Sequence, residues 1–171
     1  MSDTTVTVMG LVHKGPIDIK QMLKTVEKVS KELGIELQLV DASKVYGKEH
    51  LELAAQKAIR AFEEDRNFGK TLAVEVLLYA SGKRQISEAI KFMGLHDGIE
   101  KIGAIAIAGR GKNVPVELPR MLGLERDDKV LEGSDDVLVA FGIGPQAKKG
   151  IPKDRWGDLV LEKVALLDIE K

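Results

Sequence analysis

The sequence contains no cysteine, and that absence removes disulfides, thiol catalysis, zinc ribbons and iron–sulfur clusters together. Aromatic residues make up only 4%, which argues against a sheet-borne base-stacking platform of the RRM type. Neither sign of charge dominates. The 26 Lys and Arg against 27 Asp and Glu exclude the overall basicity of a histone-like protein, while a local basic patch stays compatible with that balance. No charged-then-apolar run opens the chain and its composition is not that of a membrane-spanning protein, so a cytoplasmic location without a membrane partner is expected. Asn occurs only twice (Asn67 and Asn113) beside abundant Glu, Lys and Arg, a bias of heat-adapted proteins. What is present, 44% hydrophobic and 31% charged residues over 171 positions, suits one globular domain spanning residues 1–171.

The apolar pattern lays out an α/β fold. Thr5 to His13 alternates as a strand and ends at Gly15-Pro16, with Pro16 suited to the first position of a helix. Ile19, Met22, Leu23, Val26, Val29 and Leu33 then recur at helical spacing up to a capping Gly34, and Ile35 to Asp41 alternates again. Leu51, Ala54, Ala55, Ala58 and Phe62 mark a second helix. Thr71 to Ala80 has strand-like residues, yet Leu72, Val76, Leu77 and Ala80 share one helical face and Glu75 suits no central strand, so the reading is helix. Ile86, Ala89, Ile90 and Met93 trace a short amphipathic helix that Gly94 closes. Ile102 to Ala108 and Val137 to Phe141 read as strands covered on both faces, in the middle of a sheet. Residues 114–136 are broken by Pro119, Gly123 and Gly133 into loop with one turn of helix, and a last amphipathic helix follows Pro152. The architecture expected is a small mixed β-sheet of about four or more strands covered by helices.

Few motifs carry chemistry. Gly142-Ile143-Gly144-Pro145-Gln146-Ala147 has the G-x-G-x-x-A form of a dinucleotide fingerprint, but Gly150 and Pro152 stop the helix that such a site needs. Gly109-Arg110-Gly111-Lys112 suits an anion, yet Asn113 stands where a P-loop places Ser or Thr. A small nucleotide-binding protein or enzyme built on these two loops is the alternative reading. His13, His50 and His96 lie far apart without partners at metal-ligand spacing, so no metal or other cofactor is expected. The acid pairs Asp127-Asp128 and Asp135-Asp136 read as solvated, and no catalytic residue is assigned.

Ser81-Gly82-Lys83-Arg84-Gln85 is more informative, because two cations sit where one helix ends and the next begins, with free backbone N–H groups nearby. That arrangement suits a phosphate; equally, Lys83 and Arg84 could serve only to cap the negative end of the preceding helix, worth about 0.3 to 1 kcal/mol. Lys148, Lys149, Lys153 and Arg155 form a second basic cluster around Gly150, either a solvated loop or a nucleic-acid contact.

The run Tyr79-Ala80-Ser81-Gly82-Lys83-Arg84-Gln85-Ile86-Ser87-Glu88-Ala89-Ile90, followed by Met93-Gly94, resembles the signature segment of the small regulatory subunit of the KEOPS complex, the CGI/TPRKB family, in its archaeal type. His50-Leu51, Ala54, Ala58, Ala61-Phe62 and Glu75 carry the resemblance upstream, and it is clearest from about residue 35 to 110. It implies a non-catalytic subunit of the tRNA threonylcarbamoyl-adenosine modification machinery. Its implied partners are the PRPK-type kinase subunit, which it would stimulate by docking helices on the amino-terminal lobe, and tRNA held by its 3′ CCA end, with no small-molecule substrate. Carried onto this chain, the resemblance points to Lys83 and Arg84 for tRNA contact, with Ser81 and Gly82 shaping the turn. Ile86, Ala89, Ile90 and Met93 would be core or face the kinase.

Overall fold

A computed structural model describes residues 3–170. The branched run Thr5–Val12 (β1) pairs antiparallel along its whole length with Lys101–Ala108 (β3), from Thr5 opposite Ala108 to Val12 opposite Lys101. Glu36–Asp41 (β2) takes the other side of β3, and the two-residue strand Glu125–Arg126 (β4) closes the far edge against Leu11 and Val12. The order is therefore β2-β3-β1-β4, and every neighbouring pair is antiparallel. Because β1 and β2 are each antiparallel to β3, they run parallel to one another with β3 inserted between them. With Ile19–Leu33 (α1) as the crossover, this is a split βαβ unit.

The period of two along β3 separates two cores. Ala104, Ala106 and Ala108 join Met9, Leu11, Leu37 and Leu39 on the side where α1 contributes Met22 and Val29. Ile105 and Ile107 join Val8 and Val40 on the opposite side, against Lys48–Glu63 (α2), Leu72–Ser81 (α3), Ile86–Met93 (α4) and Gly157–Glu170 (α8). α2 lines its buried face with Leu51 and with Ala54, Ala55, Ala58 and Ala61, and the small alanine side chains allow α3 to lie close beside it. Leu51 and Leu78 are wholly buried there, each worth about 1.5–3 kcal/mol by transfer from water. A third, smaller core of Leu138, Ile143 and Val160 forms over the start of α2, bordered by Tyr46, Phe141 and Trp156.

Four sequence readings change. Val137 to Phe141 is not a central strand: Asp135–Ala140 is a helix (α6), with Ser134 extended at its N-cap and Asp135 and Asp136 in the first turn, where acids favour helix. The segment read as loop with one turn of helix supplies the fourth strand, the short polar β4, while β3 lies in the interior of the sheet as its apolar run indicates, beside β1. The adjacent strands are antiparallel throughout rather than mixed. Finally, Pro16 stays outside α1, whose N-cap is Asp18, the carboxylate accepting the Gln21 N–H at 3.1 Å. Gly94 does close α4, but by close approach rather than by a left-handed turn: a Cβ there would lie 2.5 Å from the Ile90 carbonyl oxygen. The loop before α6 holds one short helix, Leu118–Met121 (α5), and another, Pro145–Lys148 (α7), follows it. Among the described residues no helix is long and apolar enough to cross a membrane.

Candidate functional site

The turn from α3 to α4 is built from below. Gly82 adopts φ +67°, donating its N–H to the Tyr79 carbonyl while Lys83 N–H reaches Leu78, the paired pattern of a Schellman cap that glycine favours. Ser81 is 2% exposed, and its hydroxyl donates to Leu78 O at 3.1 Å and accepts Lys83 N–H at 3.2 Å. It shapes the turn and offers no surface to a ligand. Beneath it His50 is fully buried in α2, with Nε2–H donating to Ala80 O at 2.8 Å and Nδ1 accepting Tyr46 N–H at 3.1 Å. These two bonds fix the tautomer, and burial lowers the imidazole to about 4, so it is neutral at pH 7. At the other end of α3, the buried Glu75 carboxylate accepts the Phe68 and Gly69 N–H groups at 2.9 and 2.7 Å, which is why this acid sits inside a helix of the core. Asp168 ties α8 to the same unit: it accepts the Tyr79 hydroxyl and pairs with Lys57 at 2.9 Å.

On this frame the two cations and four apolar residues of the turn and α4 separate. Lys83 sends its ammonium 4.9 Å above the Phe92 ring, where Lys44 from the 3₁₀ turn Ala42–Lys44 also stands, at 5.6 Å. Lys91 and Glu88 complete an open depression around that ring. Arg84 points elsewhere, donating to the Glu170 carbonyl at 3.3 Å, so it caps the end of α8 and not that of α3. Ile86 and Ile90 are 37% and 52% exposed, while Ala89 and Met93 are wholly buried. The partner-facing role expected of these four therefore narrows to the two isoleucines, with Ala89 and Met93 belonging to the core. The Arg84 contact brings the start of α4 to the end of α8, where Ile169 is 80% exposed. Lys44, Lys91 and Phe92 were not singled out from the sequence. Lys91 and Phe92 carried a signal, a cation and a ring inside the amphipathic α4; Lys44 carried none, since only the β2–β3 pairing and the 3₁₀ turn bring it there.

The loops of the alternative reading do not form a nucleotide cradle. The residues before Gly142 are helix, so no strand feeds the G-x-G-x-x-A segment, and α7 after it is a single turn. Lys112 arches over Gly34 at the carboxyl end of α1, and Arg110 lies 3.9 Å from Asp3. Asp128 is exposed as expected and in addition accepts two Arg126 bonds and the Gly10 N–H at 2.9 Å, and the Arg126 contact holds its carboxyl below the usual range. His96 donates to Asp97 O and meets Asp41 at 2.7 Å, two contacts that raise its pKa. Among the described residues no group of three or more His, Asp or Glu could hold a metal ion.

Comparison with known proteins bears on this frame. The model of the family described as "Kinase binding protein CGI-121" matches residues 17–130, two thirds of the chain. The chain belongs to the CGI-121 family. The match is wider than the resemblance read from the sequence; within it lie the α3–α4 turn, Lys44, Phe92 and both exposed isoleucines, whereas α6, α7 and α8 follow it. The "Regulatory protein Cgi121" of Methanocaldococcus jannaschii is 29% identical over 146 residues, covering 81% of this chain and 88% of that CGI-121 relative.

Proposed function

We propose that this protein is the small regulatory, non-catalytic subunit of a cytoplasmic KEOPS complex, which makes threonylcarbamoyl-adenosine in tRNA. It binds and stimulates the PRPK-type kinase subunit and helps recruit tRNA by its 3′ CCA end. The observation that carries the reading is the kinase-binding family match across residues 17–130. Exposed apolar side chains on neighbouring helix ends support the kinase half: Ile86 and Ile90 on α4, with Ile169 beyond the Arg84 contact, present a surface that a partner groove would cover. The RNA half is supported by Lys83 with Lys44 and Lys91 beside the Phe92 ring, cations that have no carboxylate partner within salt-bridge distance among the described residues. Arg84, held at the end of α8, is the secondary contact, and Ser81 and Gly82 act by holding the turn.

The test is binding of the purified protein to the kinase subunit, and to one tRNA with its CCA end intact or trimmed, at about 50 and about 200 mM salt. Co-elution with the kinase that the Ile86→Asp/Ile90→Asp variant loses, and tRNA affinity that needs the CCA end, are the expected results. A protein that ignores the kinase overturns the first half, and equal or absent affinity for the two tRNAs overturns the second.

A further inference from the structure

The basic cluster around Gly150 has a geometry of its own. Lys148 from α7 and Lys153 from the 3₁₀ turn Lys153–Arg155 place their ammonium groups 4.6 and 5.9 Å from the centre of one ring, that of Trp156. The ring is half-buried and held by its own N–H, which donates to Ile151 O at 3.1 Å. Residues 148–155 contain Lys148, Lys149, Lys153 and Arg155 against the single acid Asp154. Arg155 is paired with Asp158, while none of the three lysines has a carboxylate partner within salt-bridge distance among the described residues. Lysines gathered around one fixed ring, with Asp154 the single acid in their segment, repel one another, and a polyanion relieves that repulsion. The same combination of ring and lysines stands at Phe92, and the two are joined inside the molecule: Phe141 packs edge-on against Phe92 at 5.1 Å and borders the same small core as Trp156.

We infer that Trp156 with Lys148 and Lys153 is a second RNA-contact point, taking phosphates and an unpaired base of the same RNA that reaches the Phe92 depression. The chemistry is that of single-strand recognition, in which cations track the backbone while a base stacks on an aromatic face. An acidic protein segment would use the lysines and leave the ring idle, so the ring favours RNA. The inference rests on the RNA half of the function proposed above and extends it into the segment that follows the family match.

Trp156 is the sole tryptophan of the chain, so its fluorescence reports on this point and no other. The experiment titrates the full-length protein with intact tRNA, following tryptophan emission and, separately, the affinity of labelled tRNA at several salt concentrations. The expected result is a saturable emission change with the midpoint of tRNA binding. Lys148→Ala/Lys153→Ala should then bind about tenfold more weakly at low salt, with a salt slope shallower by about 1.5 for two lost phosphate contacts. An unchanged melting curve shows that the variant is folded. Wild-type tRNA binding with silent emission and an unaltered slope in the variant overturns this point and leaves the proposed function standing. A variant that keeps its tRNA affinity but no longer co-elutes with the kinase assigns the cluster to a protein partner and equally overturns it. Wild-type protein that binds no tRNA overturns both.

Discussion

Two sets of polar side chains meet at α3 and differ in what they have left to offer. Inside, His50, Glu75 and Ser81 have their polar atoms engaged, and among the described residues no buried side-chain nitrogen or oxygen lacks a hydrogen-bond partner. Outside, a few ångströms of chain away, Lys83 rests its charge on a ring in the company of Lys44. The inner set is accounted for by folding alone. The outer set is not, because cation–ring contacts at an exposed site contribute only about 0.5–1 kcal/mol and the neighbouring ammonium groups repel. Function is therefore to be sought in the charges that the fold does not need, and the fold is to be broken through the ones it does.

The sharpest way to break the inner set is His50→Ala, which leaves Ala80 O and Tyr46 N–H without their partner and opens a cavity under the turn. A loss of about 3 to 5 kcal/mol is expected, read as a lower denaturant midpoint at constant slope. A loss under about 1 kcal/mol would mean that the turn is held without it.

Acid should act on the same group. His50 is lowered to about 4 in the folded state from an ordinary 6.5, so between those values the unfolded chain binds the extra proton and stability falls as pH falls. The effect is fully absent above about pH 7 and amounts to about 3 kcal/mol by pH 4. Denaturation at a series of pH values, wild type against His50→Ala, isolates it, since the variant lacks this part of the acid dependence. His96 runs the other way: its raised pKa contributes stability below about 6.5 that is lost as pH climbs through the folded value, and its exposure keeps that contribution small.

The smallest effect on stability belongs to the outer set. Lys83→Ala should leave unfolding free energy within about 0.5 kcal/mol of wild type while reducing the salt slope of tRNA binding by about one contact. Arg84→Ala should also weaken tRNA binding, by less than one contact, and uncap the end of α8. A stability loss in Lys83→Ala as large as that of the inner set would erase the distinction between them.

Most of this frame was legible because periodicity reports burial. β1, β2 and β3, and helices α1 to α4, follow directly from alternating or 3.6-spaced apolar residues, and Glu75 identified α3 as helix for a reason the structure makes concrete: its carboxylate folds back onto the Phe68 and Gly69 amides. β4 carried no such signal, being two exposed residues that pair only because the 3₁₀ turn at Asp128–Leu131 crosses β1 where Gly10 has no side chain. Val137 to Phe141 misled because five apolar residues suit a strand and a buried helix equally. The Ser134-Asp135-Asp136 sequence ahead of them was the signal for a helix start. At the site, Lys83 and the turn were readable as local features. The partition of Ile86 and Ile90 from Ala89 and Met93, and the arrival of Lys44, depend on contacts between elements distant in sequence, which periodicity does not encode.

The position of β3 has a consequence for how the molecule is made. A ribosome releases β1 and β2 early, yet neither can pair with the other, and the strand that joins them ends only at Ala108. Until then the nascent chain holds two edges with no partner, kept apart by α1 and sheltered by helices that form from local contacts. Docking of β3 closes the long loop between Val12 and Lys101, so folding should run at the slower pace of long-range pairing rather than that of a helical bundle.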